Sequence, residues 1–321
     1  MTRVVFMGTP EFAVPSLAAL LREGYEVVGV LTRADRPAGR GQKLEESPVK
    51  QLARRHGLAI QQPRTLRDPA AQAALAALAP ELIVVAAYGL ILPQAVLGLP
   101  RCGCVNVHGS LLPRWRGAAP IAAAILAGDR ETGISLMLMD AGVDTGPVLA
   151  TAALPIAADD TTGTLTEKLA GLAAELLVQT LPGWLAGEIV PRPQPEEGAT
   201  YAPRIEKSAG EIVWADPAAL IERRVRAYQP WPGAFTSWKG QRLKVLRARA
   251  GIEVLGIGDR VLEIGALQPG LVVSDTGNTA GVVTGQGILW LEEVQLAGKR
   301  ALPIQAFLRG AAGFVGSRLG T

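Results

Sequence analysis

The sequence predicts an α/β protein: a doubly wound, mostly parallel sheet followed by a smaller C-terminal β-barrel domain. Three features point there. Strand-like and helix-like segments alternate through residues 1–186, the pattern of βαβ units. One of those strands, 82–87, is apolar at every position, as a strand covered on both faces must be. Beyond residues 187–206 the chain changes to short apolar runs separated by Gly-containing turns, the spacing of a small barrel.

Taken in order, 3–7 is an apolar strand, 13–22 a helical run and 27–31 the next strand. Residues 48–56 read as a helix, 59–61 as a short strand and 69–78 as an Ala-rich helix. The strand at 82–87 is followed by another at 103–107, a helix at 118–126, and strands at 135–139 and 148–155. A long helix spans 162–184, with Pro182 near its end. Residues 187–206 are rich in Pro, Gly and Glu, with Pro191, Pro193, Pro195 and Pro203, and read as a linker. A short helix at 217–227 opens the second domain, and strands follow at 234–237, 242–247, 270–273, 280–283 and 287–291. The expected division is a domain at 1–186, a linker at 187–206 and a second domain at 207–321.

Composition bounds the function. At 321 residues, 49% hydrophobic and 19% charged, the chain can build two sizeable cores. The apolar run that follows Met1 is too short for a signal peptide, and 82–92, the longest apolar stretch, is too short to span a bilayer. A cytoplasmic protein without membrane association is expected. Cys102 and Cys104 cannot supply a disulfide framework, and their spacing, with no second ligand pair, is poor for zinc; they are expected to be inert, and no metal is expected. The first strand–helix turn, Met7-Gly8-Thr9-Pro10-Glu11-Phe12, lacks the G-x-G-x-x-G pattern, so NAD is not expected. Residues 207–321 carry a net charge of +5 against −2 for 1–206, which points to a polyanionic partner on the second domain.

The chemistry should lie at Asn106-Val107-His108-Gly109-Ser110. Side chains alternate along a strand, so Asn106 and His108 share a face at its carboxyl end, where open α/β sheets bind ligands. His108, one of two histidines in the chain, is suited to proton transfer near neutral pH. An acidic, Gly-rich loop, Met139-Asp140-Ala141-Gly142-Val143-Asp144-Thr145-Gly146-Pro147, offers two carboxylates. Either could orient His108, and either could serve only in an Asx-turn. The run Arg33-Ala34-Asp35-Arg36-Pro37-Ala38-Gly39-Arg40-Gly41-Gln42-Lys43 has no large apolar side chain. It should be an exposed, mobile basic loop able to grip phosphates. Leu112-Pro113-Arg114-Trp115-Arg116-Gly117 could stack on a flat ligand or pack as a turn.

These segments together resemble the methionyl-tRNA formyltransferase family. The resemblance rests on Phe6-Met7-Gly8-Thr9-Pro10-Glu11-Phe12-Ala13, on Asp35 to Gly41, on Asn106 to Ile121 and on Met139 to Gly146. In the second domain it rests on Tyr201-Ala202-Pro203, Ile205-Glu206-Lys207 and Gln229-Pro230-Trp231-Pro232-Gly233-Ala234. It covers most of the chain and implies a Rossmann-like catalytic domain with an OB-like second domain. It implies transfer of the formyl group of 10-formyltetrahydrofolate to the α-amino group of methionyl initiator tRNA, by a monomer. Asn106, His108 and Asp144 match the family's catalytic trio, and Ser110, Leu111, Leu112 and Pro113 its folate-binding stretch. Arg36, Arg40, Lys43 and Lys207 fall at positions implied to meet the tRNA, although Glu45 and Glu46 temper the charge of the loop. The trio is common to enzymes that use this donor, so another formyltransferase, acting on a sugar nucleotide or in the purine pathway, is the alternative.

Overall fold

A computed structural model describes residues 2–38, 43–251, 255–257, 260–262, 267–275 and 278–320. The chain forms two compact units. The first is Met1–Pro120, Glu131–Pro155 and Leu165–Pro203; the second is Ile121–Arg130, Ile156–Thr164 and Arg204–Thr321.

The strands of the first unit are β1 (Arg3–Gly8), β2 (Glu26–Leu31), β3 (Arg36–Ala38), β4 (Lys43–Glu45), β5 (Ile60–Gln61), β6 (Leu82–Ala86), β7 (Cys104–His108), β8 (Arg116–Gly117), β9 (Glu131–Leu138), β10 (Val148–Pro155) and β11 (Tyr201–Ala202). A seven-stranded sheet runs β10-β9-β7-β6-β1-β2-β5. β5, β2, β1, β6 and β7 are parallel, and β9 and β10 close the far edge antiparallel. The helices up to residue 185 are α1 (Val14–Arg22), α2 (Pro48–Arg55), α3 (Pro69–Ala76), the single-turn α4 (Gln94–Leu97), α5 (Pro120–Ala127), which falls in the second unit after Pro120, and α6 (Thr162–Leu185), which falls in the first from Leu165. Two helix starts carry plain chemical signals. Ser47 accepts from Lys50 N ahead of Pro48, and Asp68 accepts from Ala70 N ahead of Pro69, which satisfies amide groups the first turn leaves over.

Val5, Met7, Ile83 and Val85 point into a core with Leu66, Leu75 of α3 and Val96 of α4. The alternate residues Val4, Phe6, Val84 and Val105 are buried on the other face. Burial on both faces explains why these strands read as continuous apolar runs. Strand order reverses between β1 and β6, which stay paired to Gly8 and Ala86, and the segments beyond the carboxyl ends are tied together: Thr9 Oγ1, after β1, donates to Tyr88 O at 3.0 Å, and Arg33 Nη1, after β2, donates to Gly89 O at 3.0 Å.

The Pro-rich segment expected as a linker runs hydrogen-bonded along the first unit. Val148 and Arg192 exchange backbone bonds of 2.8 and 2.9 Å, and β11 pairs with β8 in parallel. Alternation is the reason: Pro191, Pro193 and Pro195 leave the intervening Arg192 N–H available for pairing.

In the second unit, α7 (Ala218–Ala227) is followed by β12 (Ala234–Trp238), β13 (Gln241–Gly251), β14 (Leu255–Ile257), β15 (Arg260–Leu262), β16 (Val272–Val273), β17 (Gly281–Val283), β18 (Ile288–Leu296), β19 (Leu302–Pro303) and α8 (Ile304–Leu308). An antiparallel sheet runs β12-β13-β18-β17-β16, with β19 on β18 and β14–β15 a separate hairpin. β13 is longer than its sequence pattern implies because its register shifts around Arg247, and such bulges bend a strand without ending it. Pairings among the described residues form an open antiparallel sheet rather than a closed barrel. Its core joins Leu243, Val245, Val282, Leu289 and Val294 to Ile221 and Val225 of α7. Trp238, Phe307 and Phe314 pack edge to face, with centroids 5.0–5.8 Å apart, a geometry the ring quadrupoles favour. Among the described residues no helix is long and apolar enough to cross a membrane.

Phe314 is fully buried in this aromatic trio. Phe314→Ala should destabilise the second unit by about 3–5 kcal/mol, read as a fall in the urea midpoint by tryptophan fluorescence. Trp214, Trp231, Trp238 and Trp290 all report from that unit.

Candidate active site

Parallel pairing with β6 sets β7 in the middle of the sheet, with Ile83 opposite Cys104 and Val85 opposite Asn106. Cys104, Asn106 and His108 therefore share one face. Cys104 lies down in the core, where burial pushes its thiol up to about 12. Asn106 and His108 reach the carboxyl edge. His108 is only 6% exposed, yet its surroundings are polar: Nε2 lies 2.9 Å from Trp115 O, and Nδ1 lies 3.6 Å from Asp144 Oδ2. The second distance is too long for a hydrogen bond and short enough for Coulombic attraction when the ring carries a proton on both nitrogens. A neutral ring carries one N–H and can serve one of these acceptors; an imidazolium serves both.

The two aspartates of the acidic loop separate in space. Asp140 closes its own turn, accepting from Gly142 N at 3.0 Å and from Thr145 Oγ1 at 2.7 Å, the Asx-type geometry expected of a structural residue. Asp144 turns inward. Its Oδ1 accepts from Asn106 Nδ2 at 3.3 Å, its Oδ2 from Gly117 N at 2.8 Å. Asp144 holds φ +53° and Trp115 φ +61°, left-handed conformations that cost energy for residues with side chains. Gly117, at φ +113°, is forced by the close passage of β11: a Cβ there would sit 2.7 Å from Ala202 O.

Ser110 is fully buried and spends its hydroxyl on Arg114 O at 2.6 Å, while its carbonyl accepts from Ser135 Oγ at 2.7 Å. Ser135 in turn accepts from Leu112 N at 3.0 Å. These bonds fix the turn after β7 and leave Leu111, Leu112 and Pro113 half-buried along it. Ser110 thus frames the turn, and its three neighbours supply the half-buried edge.

The basic loop begins as a two-stranded ribbon: β3 pairs with β4 antiparallel, Arg36 opposite Glu45 and Ala38 opposite Lys43. Arg36 and Lys43 are thus placed on facing strands, and Arg40 lies outside the described residues. The loop expected to be exposed and mobile has paired flanks, and its base is pinned. Lys50 Nζ donates to Asp35 Oδ2 at 2.6 Å and to Gln62 Oε1 at 3.0 Å, and Gln62 Nε2 donates to Asp35 Oδ1 at 2.8 Å. The Lys50 and Gln62 hydrogen bonds hold the Asp35 carboxyl below its ordinary value. Lys207, exposed, opens a single 3-10 turn at Lys207–Gly210 in the second unit. Among the described residues no three His, Cys, Asp or Glu side chains gather as a metal site would require.

Several contributors could not be read from the sequence. Trp115 O and Gly117 N are backbone groups with no side-chain signature. Gln194, on the segment expected to be a linker, donates to Asp144 O at 2.9 Å and to Gly146 O at 2.7 Å.

Comparison with known proteins adds a further observation. A family model described as formyl transferase matches residues 2–181, and one described as formyl transferase, C-terminal domain, matches 204–312. The chain is 49% identical to the methionyl-tRNA formyltransferase of Dechloromonas aromatica over 316 residues, 98% of each. Among solved structures it is similar in fold to WlaRD, a sugar 3N-formyl transferase, with TM-score 0.66 and 18% identity over 94% of this chain and 99% of that one. It is similar also to methionyl-tRNA formyltransferase from Clostridium thermocellum, with TM-score 0.55 and 19% identity over 78% of this chain and 94% of that one.

Gly117→Ala should lower stability by about 1–3 kcal/mol through the lost β8–β11 approach, seen as a drop in melting temperature. Asp35 gives a pH signature. Its folded value is lowered, so its ionisation favours the fold at every pH above the ordinary carboxylate value, and that contribution is lost as pH falls through the folded value. Asp35→Asn should therefore cost about 1 kcal/mol at neutral pH. In melting curves the gap to the parent should close below about pH 4.

Proposed function

The chain belongs to the formyl transferase family, and on that premise we propose that it transfers the formyl group of 10-formyltetrahydrofolate to the α-amino group of methionyl initiator tRNA. The observation that carries the reading is the meeting of Asn106 and His108, at the end of β7, with Asp144 from the neighbouring loop. Near-full-length identity to a methionyl-tRNA formyltransferase supports the acceptor.

The reaction is acyl transfer. The donor supplies an electrophilic one-carbon group on nitrogen. A bond forms from the amine nitrogen to the formyl carbon, and the bond from that carbon to the donor nitrogen breaks. One proton leaves the amine and one reaches the departing nitrogen. A free α-amino group has a pKa near 7.7–8.0, so a useful fraction is neutral at pH 7 without a strong base. What the protein must supply is charge stabilisation and a path for that proton.

Asn106 and His108 are suited to the first task. Both lie on one face of a rigid strand, and both can donate to an oxygen that becomes negative as the amine adds; one such donor is worth roughly 10²–10³ in rate. Asp144 suits the second. Its carboxylate faces the ring across 3.6 Å, so it offsets charge on a protonated His108, and it takes the amine's proton through water. No step calls on a metal.

The folate would lie along the turn after β7, where Leu111, Leu112 and Pro113 offer a half-buried apolar edge beside the trio. The tRNA would be gripped by charge. Arg36 and Lys43 lie on the two paired strands of the ribbon, Arg40 falls between them in the sequence, and Lys207 stands at the start of the basic stretch 207–321; phosphate contacts of this kind give affinity that falls with salt. In this reading the protein acts as a cytoplasmic monomer.

The test is a formyl-transfer assay with 10-formyltetrahydrofolate and either methionyl initiator tRNA or a nucleotide-linked amino sugar as acceptor. Activity confined to the amino sugar would replace the tRNA reading. With tRNA as acceptor, His108→Ala and Asp144→Ala should each lower turnover by at least about 10²-fold with the fold retained by circular dichroism. Near-parental turnover in either would remove that residue from the mechanism.

A further inference from the structure

The segment 192–202 crosses both sides of the His108–Asp144 pair. On one side Thr200 Oγ1 accepts from Trp115 N at 2.9 Å and Thr200 O from Arg116 N at 2.9 Å. That holds the left-handed Trp115 whose carbonyl meets His108. On the other side Gln194 Nε2 donates to Asp144 O at 2.9 Å and to Gly146 O at 2.7 Å. The same side chain joins the two sides, because its Oε1 accepts from Arg116 Nε at 3.0 Å. Arg116 is 1% exposed and sits between Trp115 and Gly117, the residues whose backbone groups meet His108 and Asp144.

We propose that Gln194 is a positioning residue for formyl transfer: its carboxamide fixes the Asp144 carboxylate against His108 and Asn106 by clamping the Asp144 loop to buried Arg116. The inference rests on the formyl-transfer reading above. Its physical basis is strain. Asp144 stays in a left-handed conformation only where its surroundings hold it there, and the amide N–H groups of Gln194 engage the carbonyls on either side of Thr145, in the loop that must not relax. Gln194 has the donor and acceptor set for this place: a donor group for two carbonyls and an acceptor for a guanidinium. Glutamate keeps the shape and the bond from Arg116 but offers no N–H, and it sets a negative charge against two carbonyl oxygens.

A residue that acts through Asp144 leaves a definite kinetic mark. Gln194→Ala should lower kcat about 10–100-fold, the usual cost of a lost supporting contact, with KM for donor and acceptor changed less than about 3-fold. In an Asp144→Ala background the same change should cost less than about 3-fold, because the group it positions is gone. Gln194→Glu, nearly isosteric and still able to pair with Arg116, carries the test if the alanine variant folds poorly. Its kcat should be depressed at least as far as in the alanine variant, because a carboxylate held ionised by Arg116 donates to neither carbonyl. Equal losses with and without Asp144, or a Gln194→Glu kcat close to the parent's, would overturn the positioning role while leaving formyl transfer intact. A parent protein that formylates neither acceptor would overturn the underlying reading, and this proposal with it.

Discussion

The site is organised around one carboxylate held where a carboxylate is costly to hold. Asp144 has a left-handed backbone, is largely enclosed, and accepts from both Gly117 N–H and the Asn106 amide while facing His108. Each of these bonds is worth about 0.5–1.5 kcal/mol net, and more where an acceptor is charged. Together they offset a backbone strain of about 1–3 kcal/mol. The arrangement is stable only as a set: without Gly117, β11 cannot approach; without that approach, the amide that meets the carboxylate is misplaced.

The sheet explains why the set can be held so closely. Asn106 and His108 ride on a central strand paired on both sides, with Val85 opposite one and Ser135 opposite the other. Their positions are fixed by ladder geometry rather than by loop packing. The groups that meet them come from two turns, 109–117 and 139–147; the first is secured through Ser110, Ser135 and Arg116, the second by the bonds from Gln194 to Asp144 O and Gly146 O. A mobile scaffold would scatter these groups by an ångström or more, and reactions that depend on orientation lose rate steeply with such displacement.

Much of this was legible in the chain itself. The apolar runs of β1 and β6 announce a sheet buried on both faces, and Ser47-Pro48 and Asp68-Pro69 announce helix starts. The pairing of Asn106 with His108 follows from strand alternation alone. The choice between Asp140 and Asp144 does not, because two aspartates in a glycine-rich loop carry the same local chemistry; the family resemblance points to Asp144, and the fold gives the physical reason, in that Asp140 closes its own turn while Asp144 turns inward. The Pro-rich segment misled for a related reason. Proline density signals a break in helix or in a central strand, but prolines at every second position are compatible with an extended edge. α4, a single turn, is too short to leave a periodicity, and Trp115 O and Gly117 N act through atoms every residue possesses.

That alternation bears on how the protein behaves among its own copies. Residues two apart in an extended segment direct their amides to the same side. Arg192 directs its amide to Val148, so the positions of Pro191, Pro193 and Pro195 fall on the outer side, which is left without hydrogen-bond donors. An outer edge that cannot donate is a poor template for an incoming strand. The stretch that braces the site is thus also insulated against stacking into aggregates.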